Sequence, residues 1–279
     1  MADMRGGKID PVSNPRPRLA VFAESLRLHP KRLVIISEGD SWFSYPLNRN
    51  IADFIQMMSD FSMLRLEHSG DEAREILGAG SDQIKDLRKY LKRYPVDLLL
   101  FSGGGNDIAD ENLPGLLNRK TPGMAWRDCI NDTALAARLD EIVDAYQRLI
   151  DARDTYRKTC HIVTHCYDDP VPNGIPAKGP FGLGHAGPWL KPRLVQMGIN
   201  PATDGVPILR YLIDQFHDRL QALAAPVKNK FHVVDTRGTL IPNDSVQWAD
   251  EMHPSGVGAG LLAQRWRAAL AAIFPGRGF

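Results

Sequence analysis

The feature that most limits how this chain can fold is an alternation. Five short apolar runs, at 33–36, 63–66, 96–101, 161–166 and 231–234, are separated by longer stretches, several of helical period. Runs of this length are strand-length. The first, Leu33-Val34-Ile35-Ile36, is rich in β-branched residues and punctuated by Gly39, which suits a strand buried on both faces of a parallel sheet. Apolar residues at Ile51, Phe54, Ile55 and Met58 predict a helix over 50–61. Ser81 caps another over 81–94, which Pro95 stops. Further helices are predicted over 133–158, 206–223 and 255–274. Strands alternating with helices in this way predict an α/β domain built on a five-stranded parallel sheet.

Residues 1–18, rich in Pro, Arg and Gly, read as a flexible N-terminal arm, leaving 19–279 as one domain. At 43% hydrophobic residues the chain has enough apolar material for a core without disulfide staples. Two long connections interrupt the rhythm, at about 109–132 and, dense in Gly and Pro, at 168–205. Both leave the carboxyl ends of strands, where open α/β sheets place their ligands, so they are candidates for a substrate wall or lid.

Composition narrows the class further. Thirty-four basic against 33 acidic residues leave a net charge of +1, which gives no reason to expect nucleic acid or an anionic membrane as partner. No run approaches the ~20 apolar residues of a membrane span, and the N-terminal stretch lacks a signal-peptide core. Cys160 and Cys166 sit at either end of one strand, roughly 20 Å apart and far beyond disulfide reach. With Cys129 the only other cysteine, a reduced, cytoplasmic setting is the expectation; specialised export would leave no sequence mark.

The chemistry gathers where strands end. After the first comes Gly39-Asp40-Ser41-Trp42; after the second, Ser69-Gly70-Asp71; after the third, Gly103-Gly104-Gly105-Asn106-Asp107; and before the last helix, Asp250-Glu251-Met252-His253-Pro254. In a parallel sheet these clusters converge on one rim. Acyl transfer through a covalent intermediate needs a nucleophile, a base, a group to orient the base, and donors for an oxyanion. Ser41 offers a hydroxyl at a Gly-preceded turn. His253 offers an imidazole, and Asp250, three residues before it, can fix the tautomer of that ring. The N–H groups of Ser41 and Gly70 and the amide of Asn106 are the candidate oxyanion donors.

These four clusters, in this order, resemble the blocks of the SGNH (GDSL-like) hydrolases. Gly39-Asp40-Ser41 matches the first block, with Trp42 where the family has Leu, a change that bears on substrate shape and not on the nucleophile. Ser69-Gly70-Asp71 matches the second; Gly78 or Gly80 could stand in for Gly70, but only Gly70 directly follows a strand. Gly104-Gly105-Asn106-Asp107 matches the G-x-N-D pattern, and Asp250 to Pro254 the D-x-x-H-P pattern. The resemblance spans residues 39–254. It implies a flavodoxin-like three-layer α/β/α sandwich in strand order 2-1-3-4-5. It also implies hydrolysis of carboxylic, thio- or lipid esters, with no metal or organic cofactor. An acyltransferase using the same residues is the alternative activity, and a catalytically silent binding module keeping the fold is a second.

Each residue also has a plainer reading. Ser41 could merely cap a helix, His253 could be a helix-entry histidine, and Asn106 could be a turn former. Their conjunction favours chemistry. Trp42, Phe181, Leu183 and Trp189 could line an acyl pocket, and the apolar stretch 181–190 leans toward a lipid-like or aryl ester. Equally, Phe181, Leu183 and Trp189 could pin their loop to the body. The triple glycine fits no phosphate-loop pattern. His161 and His165 share a strand face roughly 13 Å apart, too far to hold one metal. His185, Asp168 and Asp169 form at best a weak metal candidate, and Cys166 reads as a buried structural thiol.

Overall fold

The computed structural model describes residues 15–57, 61–178 and 185–279. Its strands are β1 (Leu33–Gly39), β2 (Phe61–Arg65), β3 (Leu98–Ser102), β4 (His161–His165), β5 (Ala177–Lys178), β6 (His185–Ala186) and β7 (Phe231–Val234). Five make one parallel sheet in the order β2-β1-β3-β4-β7, while β5 and β6 form a small antiparallel pair. Counting only the sheet strands, this is the 2-1-3-4-5 order expected from the sequence. Every residue of β1 and β3 is buried, because helices cover both faces.

The helices are α1 (Pro15–Leu28), α2 (Ile51–Gln56), α3 (Ala73–Ile76), α4 (Asp82–Arg93), α5 (Asp132–Arg157), α6 (Lys191–Gln196), α7 (Val206–Ala224) and α8 (Gly256–Ile273). One layer packs α5 between α4 and α7, and the other sets α2 against α8. Consecutive residues of β4 reach opposite layers, as the pleat requires. The Thr164 hydroxyl meets Tyr146 of α5 at 3.0 Å, while the His165 ring lies 5.5 Å from Trp266 of α8.

Three sequence expectations need correction. The helix predicted over 50–61 stops at Gln56, and Phe61 instead opens β2 beside Leu33. An apolar residue just past a helix fits either period, and strand pairing decides it. β1 runs three residues beyond Ile36 because its polar end is buried with partners: Ser37 donates to Glu67 at 2.7 Å, and the Glu38 carboxyl accepts the Gly39 N–H at 2.9 Å. The third concerns the N-terminal arm expected over 1–18. Helix α1 begins at Pro15, inside that stretch, and residues 1–14 lie outside the described ones. Phe22 docks α1 edge-on against Tyr94 at 5.0 Å.

Glu38 gives the sheet a pH dependence. Burial chiefly pushes its carboxyl up to about 8; the Gly39 N–H pulls down, while Glu67 and Asp71 push further up. In the unfolded chain it ionises near 4.5. Between those two values the folded protein holds a proton that the unfolded chain has lost, so stability falls as pH rises through the window. Glu38→Gln should leave stability near that of wild type at about pH 4.5 and raise it by on the order of a few kcal/mol above pH 8. Urea unfolding midpoints at the two pH values check this.

Candidate active site

The site is assembled at the carboxyl ends of the sheet strands, beginning with a glycine. At Gly39 the backbone turns with φ +144°, and a Cβ there would stand 2.1 Å from the carbonyl oxygen of Ser102. Only glycine permits β1 and β3 to approach so closely. The next residue, Asp40, is buried. Its carboxylate accepts the Trp42 N–H at 3.0 Å, the Ser102 hydroxyl at 2.7 Å and the Tyr167 hydroxyl. Ser102 also lies 2.9 Å from His165 Nε2, and His165 Nδ1 accepts the Tyr167 N–H at 3.3 Å. A carboxylate only accepts, so the line runs His165 Nε2–H to Ser102 and Ser102 O–H to Asp40. Burial holds His165 down at about 3, keeping the ring neutral with a single hydrogen to give. The turn carrying Ser41 thus stands on a fixed polar floor.

Ser41 Oγ is 2.8 Å from His253 Nε2, and His253 Nδ1 is 2.9 and 3.0 Å from the two carboxylate oxygens of Asp250. The three-residue spacing has a local cause. Asp250 Oδ1 accepts the N–H groups of Met252 and His253, both at 2.8 Å, an Asx-type turn that folds the carboxylate back onto the ring three residues later. An antiparallel bridge between Trp248 and Pro254 closes the loop. Burial pushes the Asp250 carboxyl up, but His253, the Tyr45 hydroxyl and the Met252 N–H together outweigh it and hold it below the usual carboxylate range. The anion takes the Nδ1 hydrogen, which leaves Nε2 as an acceptor facing Ser41.

Gly70 follows β2 in a turn with φ +86°, and Asn106 opens a 3₁₀ turn after β3. They are tied together: Asn106 Nδ2 donates to Asp71 O at 2.9 Å, and the buried Asp107 carboxylate accepts the N–H groups of Ala73 at 2.7 Å and Arg74 at 3.2 Å. Asn106 has a second amide hydrogen. Ser41 and Asn106 line both an inner pocket and an outer cleft, which Gly70 also lines. Among the described residues no acceptor bonds to the Ser41 or Gly70 N–H.

Of the expected substrate-lining residues, Trp42 walls the inner pocket, edge-on to Tyr167 at 5.0 Å. Trp189 borders the outer cleft and meets the His253 ring edge-on at 5.1 Å. Phe181 and Leu183 lie outside the described residues. His161 pairs with His232 of β7 at 2.9 Å, well away from Ser102 and His165. Asp168 is turned to structure, accepting the N–H groups of Gly238 and Leu240, both at 2.7 Å.

Among the described residues, Cys166, His217 and Asp235 bring potential metal-ligand atoms within 4.8 Å of one another. Arg237 already occupies that corner. Its guanidinium donates to both Asp235 oxygens at 2.9 Å and lies 3.4 Å from His217 Nε2, an arginine–carboxylate fork. Burial pushes the Cys166 thiol up to about 12.

Two contributors have no signal in the sequence. Tyr45 donates to Asp250 Oδ2 at 2.6 Å and stacks on the His253 ring at 4.3 Å. Glu251 is buried and accepts the N–H groups of Gly174 at 3.0 Å, of Leu190, and of Lys191 at 3.4 Å. Gly174, Leu190 and Lys191 are therefore anchored to the turn that holds His253. Glu251→Ala should speed amide hydrogen exchange at Gly174, Leu190 and Lys191 by about ten-fold or more. Exchange followed by mass spectrometry or NMR checks it.

No protein-family model matches the sequence, and no curated protein does. Solved structures match in fold. A lipase from a goat rumen metagenome aligns at TM-score 0.55 and 16% identity, over 88% of this chain and 98% of its own. The extracellular lipase of Streptomyces rimosus aligns at 0.51 and 13%, over 85% and 99%. A Slackia heliotrinireducens protein assigned to the SGNH hydrolases aligns at 0.50 and 14%, over 86% and 99%. The likeness is one of architecture: this chain has the α/β/α fold of the SGNH hydrolases.

Proposed function

We propose that this chain is a serine hydrolase that cleaves carboxylic ester or thioester bonds through an acyl-enzyme on Ser41. The observation that carries the proposal is the hydrogen-bonded line from Ser41 Oγ through His253 to an anionic Asp250. In that arrangement His253 Nε2 takes the hydroxyl proton as Oγ attacks the carbonyl carbon. It then gives the proton to the departing alcohol or thiol, and in the second half activates water. Asp250 fixes the tautomer and stabilises the transient imidazolium. The Ser41 N–H, the Gly70 N–H and the Asn106 amide are the donors for the oxyanion.

Turnover of p-nitrophenyl acetate should be abolished in Ser41→Ala, falling by about 10⁴-fold or more. Equal rates in both proteins would sink the mechanism. Tyr45→Phe removes one donor from Asp250 and weakens its hold on the ring. It should lower kcat by about ten-fold, with a folded protein and little change in KM. Steady-state kinetics with circular dichroism as the folding control separates this from simple destabilisation.

A further inference from the structure

Two spaces of different size and chemistry meet at Ser41. Ser41, Asn106, Ala109 and Met252 line both. The inner one, walled by Trp42, Tyr167, Leu190, Leu209, Leu212 and Ile213, has a volume of about 50 Å³. The outer cleft is about 260 Å³ and is bordered by Tyr45, Trp189, Ser69, Glu72, Asp110 and Glu111. His253 borders the outer cleft and not the inner pocket.

That asymmetry orients a substrate. The bond that forms joins Ser41 Oγ to the carbonyl carbon, and the bond that breaks joins that carbon to the alcohol oxygen. The alcohol oxygen leaves with the proton that His253 took from Ser41, so it must lie within hydrogen-bond reach of Nε2. The alcohol therefore belongs in the outer cleft and the acyl chain in the inner pocket. An apolar cavity of roughly 150 Å³ holds a benzene ring. A third of that volume accommodates an acyl group of about two to four carbons, and three side chains of α7, Leu209, Leu212 and Ile213, form part of its wall.

The outer cleft is rich in acceptors. Glu72, Asp110 and Glu111 present carboxylates, which accept hydrogen bonds and donate none, and no Lys or Arg is among its described lining residues. Glu72 is paired with Arg74 at 2.6 Å, Asp110 with Arg193 at 3.0 Å and Glu111 with the same Arg193 at 3.7 Å, all from outside the lining, and the Glu111 side chain stays 86% exposed. Hydroxyl groups suit such a surface, and its described lining offers no cation to pair with an anionic alcohol. Resting on the serine-hydrolase reading above, we infer that the substrate is a short-chain acyl ester, acetyl to butyryl, of a neutral, hydroxyl-rich alcohol. This departs from the lipid-like or aryl ester toward which the sequence leans.

The test uses p-nitrophenyl acetate, butyrate, octanoate and palmitate, together with 1-acetylglycerol and 1-acetylglycerol 3-phosphate, at equal ionic strength. Expected are a loss in kcat/KM of about ten-fold or more from butyrate to octanoate, and a preference of similar size for acetylglycerol over its phosphate. Leu212→Ala should move the chain-length optimum toward octanoate. Ile213→Val, which removes a single methyl, asks the same question should Leu212→Ala fail to fold. Glu111→Lys should narrow the gap between the two glycerol esters. Octanoate or palmitate turned over as well as acetate, or the phosphate ester preferred, would overturn the inference. Labelling by diisopropyl fluorophosphate keeps the two levels apart. Label on Ser41 with the wrong chain-length order overturns the substrate class alone, and no label with no turnover of any ester overturns the hydrolase reading beneath it.

Discussion

The site depends on one buried carboxylate, that of Asp40. A charge withdrawn from water costs many kcal/mol unless the protein supplies hydrogen bonds in its place. Here the replacements come from different parts of the sheet: Trp42 beyond β1, Ser102 at the end of β3, and Tyr167 beyond β4. Satisfying one buried carboxyl group thus fixes the carboxyl ends of three neighbouring strands relative to one another, directly beneath Ser41. Burial raises the Asp40 carboxyl, and the hydrogen bonds from Tyr167, Ser102 and Trp42 oppose it. The close approach at Gly39 is the steric counterpart: the backbone can carry Asp40 to the Ser102 carbonyl only where no Cβ intervenes.

What the sequence made legible is local. Short apolar runs set the sheet, and Gly39, Gly70 and the Asp250-to-His253 spacing mark turns whose geometry is decided within a few residues. The strand order followed from resemblance and is seen in the sheet. Hidden from sequence were contacts whose partners are far apart along the chain. Tyr45 meets Asp250 across 205 positions, and Ser102 meets His165 across 63. No periodicity links such pairs. The start of β2 and the end of β1 were misplaced because the first had an apolar residue that fits either period and the second had polar residues buried by pairing.

The long connections show the same limit from another side. Glycine and proline made 168–205 read as loop, and among its described residues much is irregular, yet these are anchored at two points by carboxyl groups. Asp168 is tied to the turn after β7, and Glu251 holds Gly174, Leu190 and Lys191 to the loop of His253. Composition identifies a segment that cannot form regular structure. It does not identify the acceptors elsewhere in the chain that immobilise its backbone.

Asp250 and Glu251, adjacent in sequence and both buried, make the argument in miniature. The first faces the His253 imidazole, and its carboxyl is held below the usual range. The second meets backbone N–H groups, and burial outweighs them, so its carboxyl is raised. One loop therefore carries a carboxyl held low by an imidazole, a hydroxyl and a backbone N–H beside a carboxyl raised by burial among backbone N–H groups. Both hang from the same backbone: Glu251 holds the Leu190 N–H of the wall, and Asp250 holds the His253 ring. On the serine-hydrolase reading proposed above, the alcohol side of the substrate would therefore lie against the same loop that carries the base, since His253 and Trp189 border one cleft.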